Sequence, residues 1–170
     1  MNAVVSPAPA PVLSLEGIGK RFGAFQALDE VSIDLMAGDV HCLLGENGAG
    51  KSTLCNVIFG VHQPDAGAMR MNGVTYRPRN PREAIEHGIA MVHQHFSLVD
   101  DASVLDNLLL GQARGRIDRA REAQRVEATL ARVGLTLPLD ARIADLSVGE
   151  RQRVEIVKCL MREPRLLLLD

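Results

Sequence analysis

Gly45-Glu46-Asn47-Gly48-Ala49-Gly50-Lys51-Ser52-Thr53 satisfies the pattern G-x-x-x-x-G-K-[ST] at every constrained position. Gly45, Gly48 and Gly50 let the backbone turn sharply, so that several N–H groups face one centre. A helix beginning near Lys51 aims the positive end of its dipole at the same point. Lys51 supplies a mobile cation for β- and γ-phosphates, and Ser52 a hydroxyl for Mg²⁺. The apolar run Val40 to Leu44 reads as a strand entering the loop. Lys51 to Phe59 reads as the helix leaving it, stopped by Gly60. The context is that of a nucleotide-binding α/β domain, without a choice among ATPases, GTPases and kinases.

Composition narrows the class. The 170 residues suit one domain with a real core. That core is aliphatic, because 46% of residues are hydrophobic and only 3% aromatic. Nineteen basic and 21 acidic residues leave a formal charge of −2, which argues against a nucleic-acid binder, whose domain is normally basic. Cys42, Cys55 and Cys159 sit singly in apolar runs and read as buried reduced thiols, implying a reducing compartment. No stretch approaches the roughly 18 apolar residues that span a bilayer, and Met1 to Pro11 lacks the pattern of a signal peptide. A membrane role therefore has to come through a partner.

Along the chain, residues 1–11 read as a Pro/Ala tail with order starting near Val12. Val12 to Glu16, Val31 to Met36 and Val40 to Leu44 are strand candidates, and Ala68 to Met71 runs into an Asn72-Gly73 turn. Pro81 starts a helix that Gly88 stops, and Ile89 to Val92 is a short strand. Ser103 and Asp106 have capping-box spacing ahead of Leu108, Leu109 and Leu110. Asp118 caps a longer helix with Ala123, Val126, Leu130 and Val133 on one face, stopped by Gly134. Its Arg119, Arg121, Arg125 and Arg132 read as a solvated face. Strands alternating with helices predict an α/β core with a mainly parallel sheet, interrupted by a helical insertion over about Phe96 to Ala144.

Leu146-Ser147-Val148-Gly149-Glu150-Arg151-Gln152-Arg153 reads as a helix start, with Ser147 and Glu150 as a capping box and Val154, Val157, Leu160 and Met161 on the apolar face. An exposed helix N-terminus with a hydroxyl and a glycine is also a second phosphate-binding surface. Arg165 to Asp170 reads as a buried strand delivering one carboxylate.

Together these motifs resemble the ATP-binding-cassette (ABC) ATPases, whose signature has the form L-S-G-G-Q. The resemblance runs from about Leu13 onward, with four separated motifs in the family's order. It implies a P-loop NTPase (RecA-like) parallel-sheet core with an N-terminal antiparallel β subdomain and a helical insertion. The core would take residues 12–95 and 165–170, and the helical subdomain with its signature 96–164.

The resemblance also implies roles. Phe22 looks like the aromatic that stacks on adenine. Gln94, in Met91-Val92-His93-Gln94-His95-Phe96, looks like the glutamine that reaches magnesium and the attacking water; its flanking His93 and His95 belong to that loop rather than to a metal site. Ser147, Gly149 and Glu150 would meet nucleotide held by another cassette, since family members bind ATP between two head-to-tail domains. Asp170 looks like the Walker B aspartate. Lys51, Gln94 and Asp170 are thus the expected catalytic residues, and Ser52, Gln94 and Asp170 the expected magnesium ligands, with ATP and Mg²⁺ as cofactors. Val148 stands for the commoner Gly and Glu150 for the commoner Gln. A Cβ beside the phosphate narrows backbone freedom there.

The wording of the Gln94 and Ser147 motifs is similar to bacterial importers of simple sugars and nucleosides, in which one polypeptide commonly carries two tandem cassettes; this chain resembles most of the first. Implied partners are a second cassette, membrane permease subunits and, indirectly, a solute-binding protein, with no nucleic acid. The implied location is peripheral, at the cytoplasmic face of the inner membrane. In the family a catalytic glutamate follows the Walker B aspartate, and a switch histidine lies on the next strand. With Asp170 as the last residue, the expectation is a truncated cassette that binds nucleotide weakly and does not hydrolyse it at a family-like rate. Soluble ABC proteins acting on nucleic acid or ribosomes, and non-hydrolysing nucleotide-binding modules, share the same motifs. A GTPase is disfavoured because no N-K-x-D guanine-reading motif occurs.

Overall fold

Leu13 and Leu15 alternate with polar neighbours and are buried, as half-buried strand residues are. A register irregularity between Leu15 and Ile18 resets the phase and brings Ile18 inward as well. This is β1 (Leu13–Phe22), paired antiparallel with β2 (Phe25–Leu35) through a tight hairpin in which Phe22 faces Phe25. Both strands extend past the expected Val12 to Glu16 and Val31 to Met36, because the irregularities break the simple alternation that sequence periodicity detects. β3 (Ala66–Met71) pairs with the other edge of β1, and β4 (Val74–Thr75) pairs with β3. Asn72 and Gly73 join them with φ of 49° and 78°, the left-handed pair that a two-residue hairpin needs. The sheet order is β2-β1-β3-β4.

The structure, a computed structural model, describes residues 10–111 and 117–170. The tail expected over residues 1–11 lies outside them except for Ala10 and Pro11. The chain divides into two compact units between His87 and Gly88.

The first unit also carries α1 (Lys51–Ile58) and α2 (Pro81–Glu86). Leu54, Cys55, Val57 and Ile58 are the buried residues of α1. Its C-terminal end is held by Tyr76, whose buried hydroxyl donates to the Ile58 carbonyl at 2.8 Å. Burial, then the nearby Glu83 carboxylate, pushes the Tyr76 phenol above its ordinary range. It stays a neutral donor. α2 starts at Pro81 as expected, with the Asn80 side chain accepting from the Glu83 N–H.

The expectation of a strand over Val40 to Leu44 is wrong. Residues 40–44 adopt no regular structure, with Val40 97% and Leu44 87% exposed. β-propensity measures fit to a pleated, half-buried surface more than an intrinsic backbone preference, and no described strand pairs with this segment. The reading of Cys42 as buried fails with it: Cys42 is exposed, whereas Cys55 and Cys159 are buried.

In the second unit β5 (Ile89–Val92), buried throughout, runs parallel to β6 (Leu166–Leu169) in continuous register from Ile89↔Leu166 to Val92↔Leu169. Between them in sequence come α3 (Val104–Leu109), α4 (Arg119–Arg132), a 3-10 turn at Ile143–Asp145 and α5 (Val148–Leu160). Each α-helix here has the cap its sequence announces. Ser103 accepts from the Asp106 N–H, Asp118 from the Arg121 N–H, and Ser147 from the Glu150 N–H.

α5 packs in two directions. Val154, Val157 and Met161 join Val104, Leu108, Val126, Leu130 and Ile143 in an aliphatic core. Ile156 and Cys159 pack with Ala90, Val92 and Leu167 of the strands. Val133, expected on the apolar face of α4, caps that helix and is exposed. The α4 arginines form ion pairs along their face: Arg119 with Asp106, Arg125 with Glu122 and Arg132 with Glu163. Among the described residues no helix is long and apolar enough to cross a membrane.

Candidate nucleotide site

Residues 45–50 form an open loop closed by one backbone hydrogen bond, from the Ala49 N–H to the Glu46 carbonyl at 3.1 Å. Gly48 and Gly50 have φ of 85° and 87°. A Cβ on Gly50 would lie 2.3 Å from the Ala27 carbonyl oxygen of β2, so both conformation and packing demand glycine there. An irregular segment, not a strand, leads into the loop; the helix does follow, and its first intrahelical bond runs from the Leu54 N–H to the Gly50 carbonyl.

The N-terminus of α1 differs from every other described α-helix. Its cap residue, Gly50, offers no side-chain acceptor, and its first turn contains no acidic residue. α2, α3, α4 and α5 each have a side-chain cap and an acid in the first turn. The positive end of α1 thus lacks the internal anion that stabilises its counterparts and is suited to an external one. Lys51 lies at the same place, its ammonium donating to the Gly45 and Glu46 carbonyls at 2.7 and 2.8 Å. Those are loop acceptors that phosphate oxygens can replace. Ser52, next on the helix, is exposed.

Phe22 lies at the β1–β2 hairpin, 43% exposed. Its ring meets His62 edge-on at 5.1 Å, and the Lys20 ammonium stands 5.6 Å from its centroid. Lys20 is itself paired with Asp65 at 3.0 Å. The backbone N–H of Arg21, then Lys20, holds the Asp65 carboxyl below its usual range.

In the second unit Gln94 and Asp170 follow β5 and β6, whose last paired residues are Val92 and Leu169. The Asp170 N–H donates to the Val92 carbonyl at 3.1 Å. A carboxylate and a carboxamide are therefore delivered to the same carboxyl-terminal edge of a parallel pair, where ligands of open α/β sheets bind. Both residues are exposed.

Ser147, Gly149 and Glu150 form the start of α5. The capping box is complete: the Glu150 carboxylate accepts from the Ser147 hydroxyl at 2.6 Å and from the Ser147 N–H at 2.9 Å. These two contacts, the hydroxyl first, hold the Glu150 carboxyl below its usual range. Val148 is 71% exposed beside them. Sequence reasoning passed over two buried polar residues in this unit, Glu155 and Asn107. Their signal was a charged or amide side chain set among aliphatic helix positions.

The family model described as ABC transporter matches residues 28–170. The chain is 44% identical over 162 residues to the guanosine import ATP-binding protein NupO of Bacillus subtilis (strain 168), covering 94% of this chain and 32% of that protein. It is 43% identical over 172 residues to the arabinose import ATP-binding protein AraG of Azospirillum brasilense, covering 99% of this chain and 33% of that one. The chain thus spans about a third of the length of these curated relatives. Among solved structures, a nucleotide-free ATP-binding cassette from an ABC transporter superposes with a TM-score of 0.80 at 31% identity, over 94% of this chain and 68% of that one. The ADP conformation of the cassette MJ1267 gives 0.78 at 31%, over 92% and 66%. Sequence and fold agree with the open, lysine-bearing loop at α1: the chain belongs to the ABC transporter family, with the P-loop NTPase fold of its ATP-binding cassettes.

Proposed function

We propose that this chain is the nucleotide-binding part of an import ATPase, which couples ATP binding and hydrolysis to uptake of a small solute, a simple sugar or a nucleoside. The observation that carries the nucleotide reading is the α1 N-terminus, which has no side-chain cap and no first-turn acid but has Lys51 beside it. The solute class is supported by the relatives, which are named as guanosine and arabinose import ATP-binding proteins.

On this reading the loop amides of Gly45, Asn47, Gly48, Ala49 and Gly50 and the Thr53 turn cradle the phosphates, and Phe22 stacks on adenine. Lys51 exchanges its loop carbonyls for β- and γ-phosphate oxygens and neutralises charge on the transferred group. Ser52, Gln94 and Asp170 would hold Mg²⁺. Hydroxyl, carboxamide and carboxylate oxygens suit a hard cation, and no group of three or more His, Cys, Asp or Glu among the described residues competes for it. When bound, the cation supplies charge stabilisation between the phosphates. Ser147 and Gly149 contact nucleotide held by a second cassette. The remaining partners are permease subunits at the cytoplasmic face of the inner membrane and, through them, a solute-binding protein.

Disrupting the gene in its own bacterium tests the transport reading. Uptake of one labelled pentose or nucleoside should fall while unrelated solutes enter normally. Unchanged uptake across a panel of both classes contradicts it.

A further inference from the structure

The segment between β5 and α3 carries Gln94, yet its backbone is held by side chains. The Ser97 N–H donates to Glu155 Oε1 at 2.6 Å, and the Ser97 hydroxyl to the same oxygen at 3.1 Å. The Ser97 carbonyl accepts from Lys158 Nζ at 3.1 Å. Glu155 and Lys158 are one turn apart on α5, so one helix face clamps both backbone groups of one loop residue. Val99 is held in the same way by Asn107 of α3, with N–H to Oδ1 at 2.7 Å and Nδ2 to the carbonyl at 3.1 Å. Glu155 is 5% exposed on a helix whose neighbouring Val154 and Val157 are fully buried. A carboxylate is costly to bury unless it is paired and hydrogen-bonded, and aliphatic packing alone does not call for one at this position. Its carboxylate accepts instead from both the N–H and the hydroxyl of Ser97.

We propose that Glu155 is a positioning residue for Gln94: by clamping Ser97 to α5 it sets where the Gln94 loop leaves β5, and so places the Gln94 side chain for the nucleotide. The proposal rests on the reading of Gln94 as a magnesium- and nucleotide-facing residue, and its test separates the two.

Backbone amide exchange over residues 94–99 is measured in the wild type and in Glu155→Ala, Glu155→Gln and Lys158→Met. Glu155→Ala should speed exchange at Ser97 and its neighbours by about tenfold or more while α5 around Val157 is unchanged. Glu155→Gln, which keeps an acceptor oxygen, should stay near the wild type. Exchange over 94–99 that is unchanged, or that rises equally along α5, overturns the clamp. If Glu155→Ala does not fold, Lys158→Met gives the same reading from the carbonyl side.

Mg²⁺-ATP affinity is then followed in a double-mutant cycle with Gln94→Ala. Glu155→Ala should weaken binding as much as Gln94→Ala does, and the double variant no further. Additive losses mean that Glu155 acts on stability alone and overturn the positioning role. Absence of Mg²⁺-ATP binding by the wild type would defeat the nucleotide reading and with it the role assigned here, while the exchange result would still judge the clamp itself.

Discussion

Two helix N-termini in this molecule look alike in sequence terms and are opposite in electrostatics. Both carry glycine and a hydroxyl residue, the sequence form of a phosphate-binding helix start. At α1 the cap is Gly50, without a side chain, and a lysine stands beside it. At α5 the cap is Ser147, and the Glu150 carboxylate already sits on its hydroxyl and N–H. One end is built to receive an anion and the other brings its own. A phosphate approaching α5 has to displace or neutralise Glu150. The form of a helix start does not make an anion site; what matters is whether the chain has already satisfied it.

The comparison breaks most visibly at Gly50. Gly50→Ala puts a Cβ 2.3 Å from the Ala27 carbonyl oxygen at a φ of 87°. The left-handed conformation alone costs about 1–2 kcal/mol for a residue with a Cβ, and the clash adds to it. Denaturant unfolding should show the loss of stability, and nucleotide binding should vanish with the loop. An unchanged unfolding midpoint would mean that the loop is not held against β2 as described. Next in size is Ser147→Ala, which removes the capping hydroxyl of α5 and should cost about 1 kcal/mol in the same assay, with little effect on nucleotide affinity at α1.

Glu150→Gln is the smallest perturbation and the sharpest. Glutamine can still close the box, so the fold should persist, while inorganic phosphate should perturb the Gly149 amide at lower concentration than in the wild type. The variant also tests pH dependence. Because the folded Glu150 carboxyl lies below its unfolded value, its contribution to stability is complete above the ordinary carboxylate range. It is lost as pH falls through the depressed folded value. Glu150→Gln should therefore flatten part of the acid limb of the stability curve, and a superimposable acid limb would contradict the charge-assisted box.

What was legible in the sequence was local. The caps at Ser103, Asp118 and Ser147 join residues three apart, and the Asn72-Gly73 turn is its own signal, so all stand in the structure where expected. Ile89 to Val92 was readable as a strand because four aliphatic residues follow a glycine stop. Val40 to Leu44, also largely apolar, is no strand, since pairing depends on a neighbour that a five-residue window cannot see. The phosphate loop was legible because its glycines, lysine and hydroxyl are contiguous. The Ser97 clamp was not, because Glu155 lies 58 residues away in sequence. For Glu150 the box was legible but its consequence was not: the carboxylate that starts the helix also occupies the Ser147 hydroxyl and N–H.

The central claim, an α1 end open to an anion and an α5 end already capped by Glu150, is tested most directly by titrating the chain with Mg²⁺-ATP, dilute enough that no two copies pair, and following assigned backbone amides. The account predicts saturable shifts at Gly48, Gly50, Lys51 and Ser52 that Lys51→Ala abolishes, while Gly149 and Glu150 of the unpaired chain stay in place. Shifts centred on residues 147–150 of the unpaired chain, or shifts at the loop that survive Lys51→Ala, would contradict it.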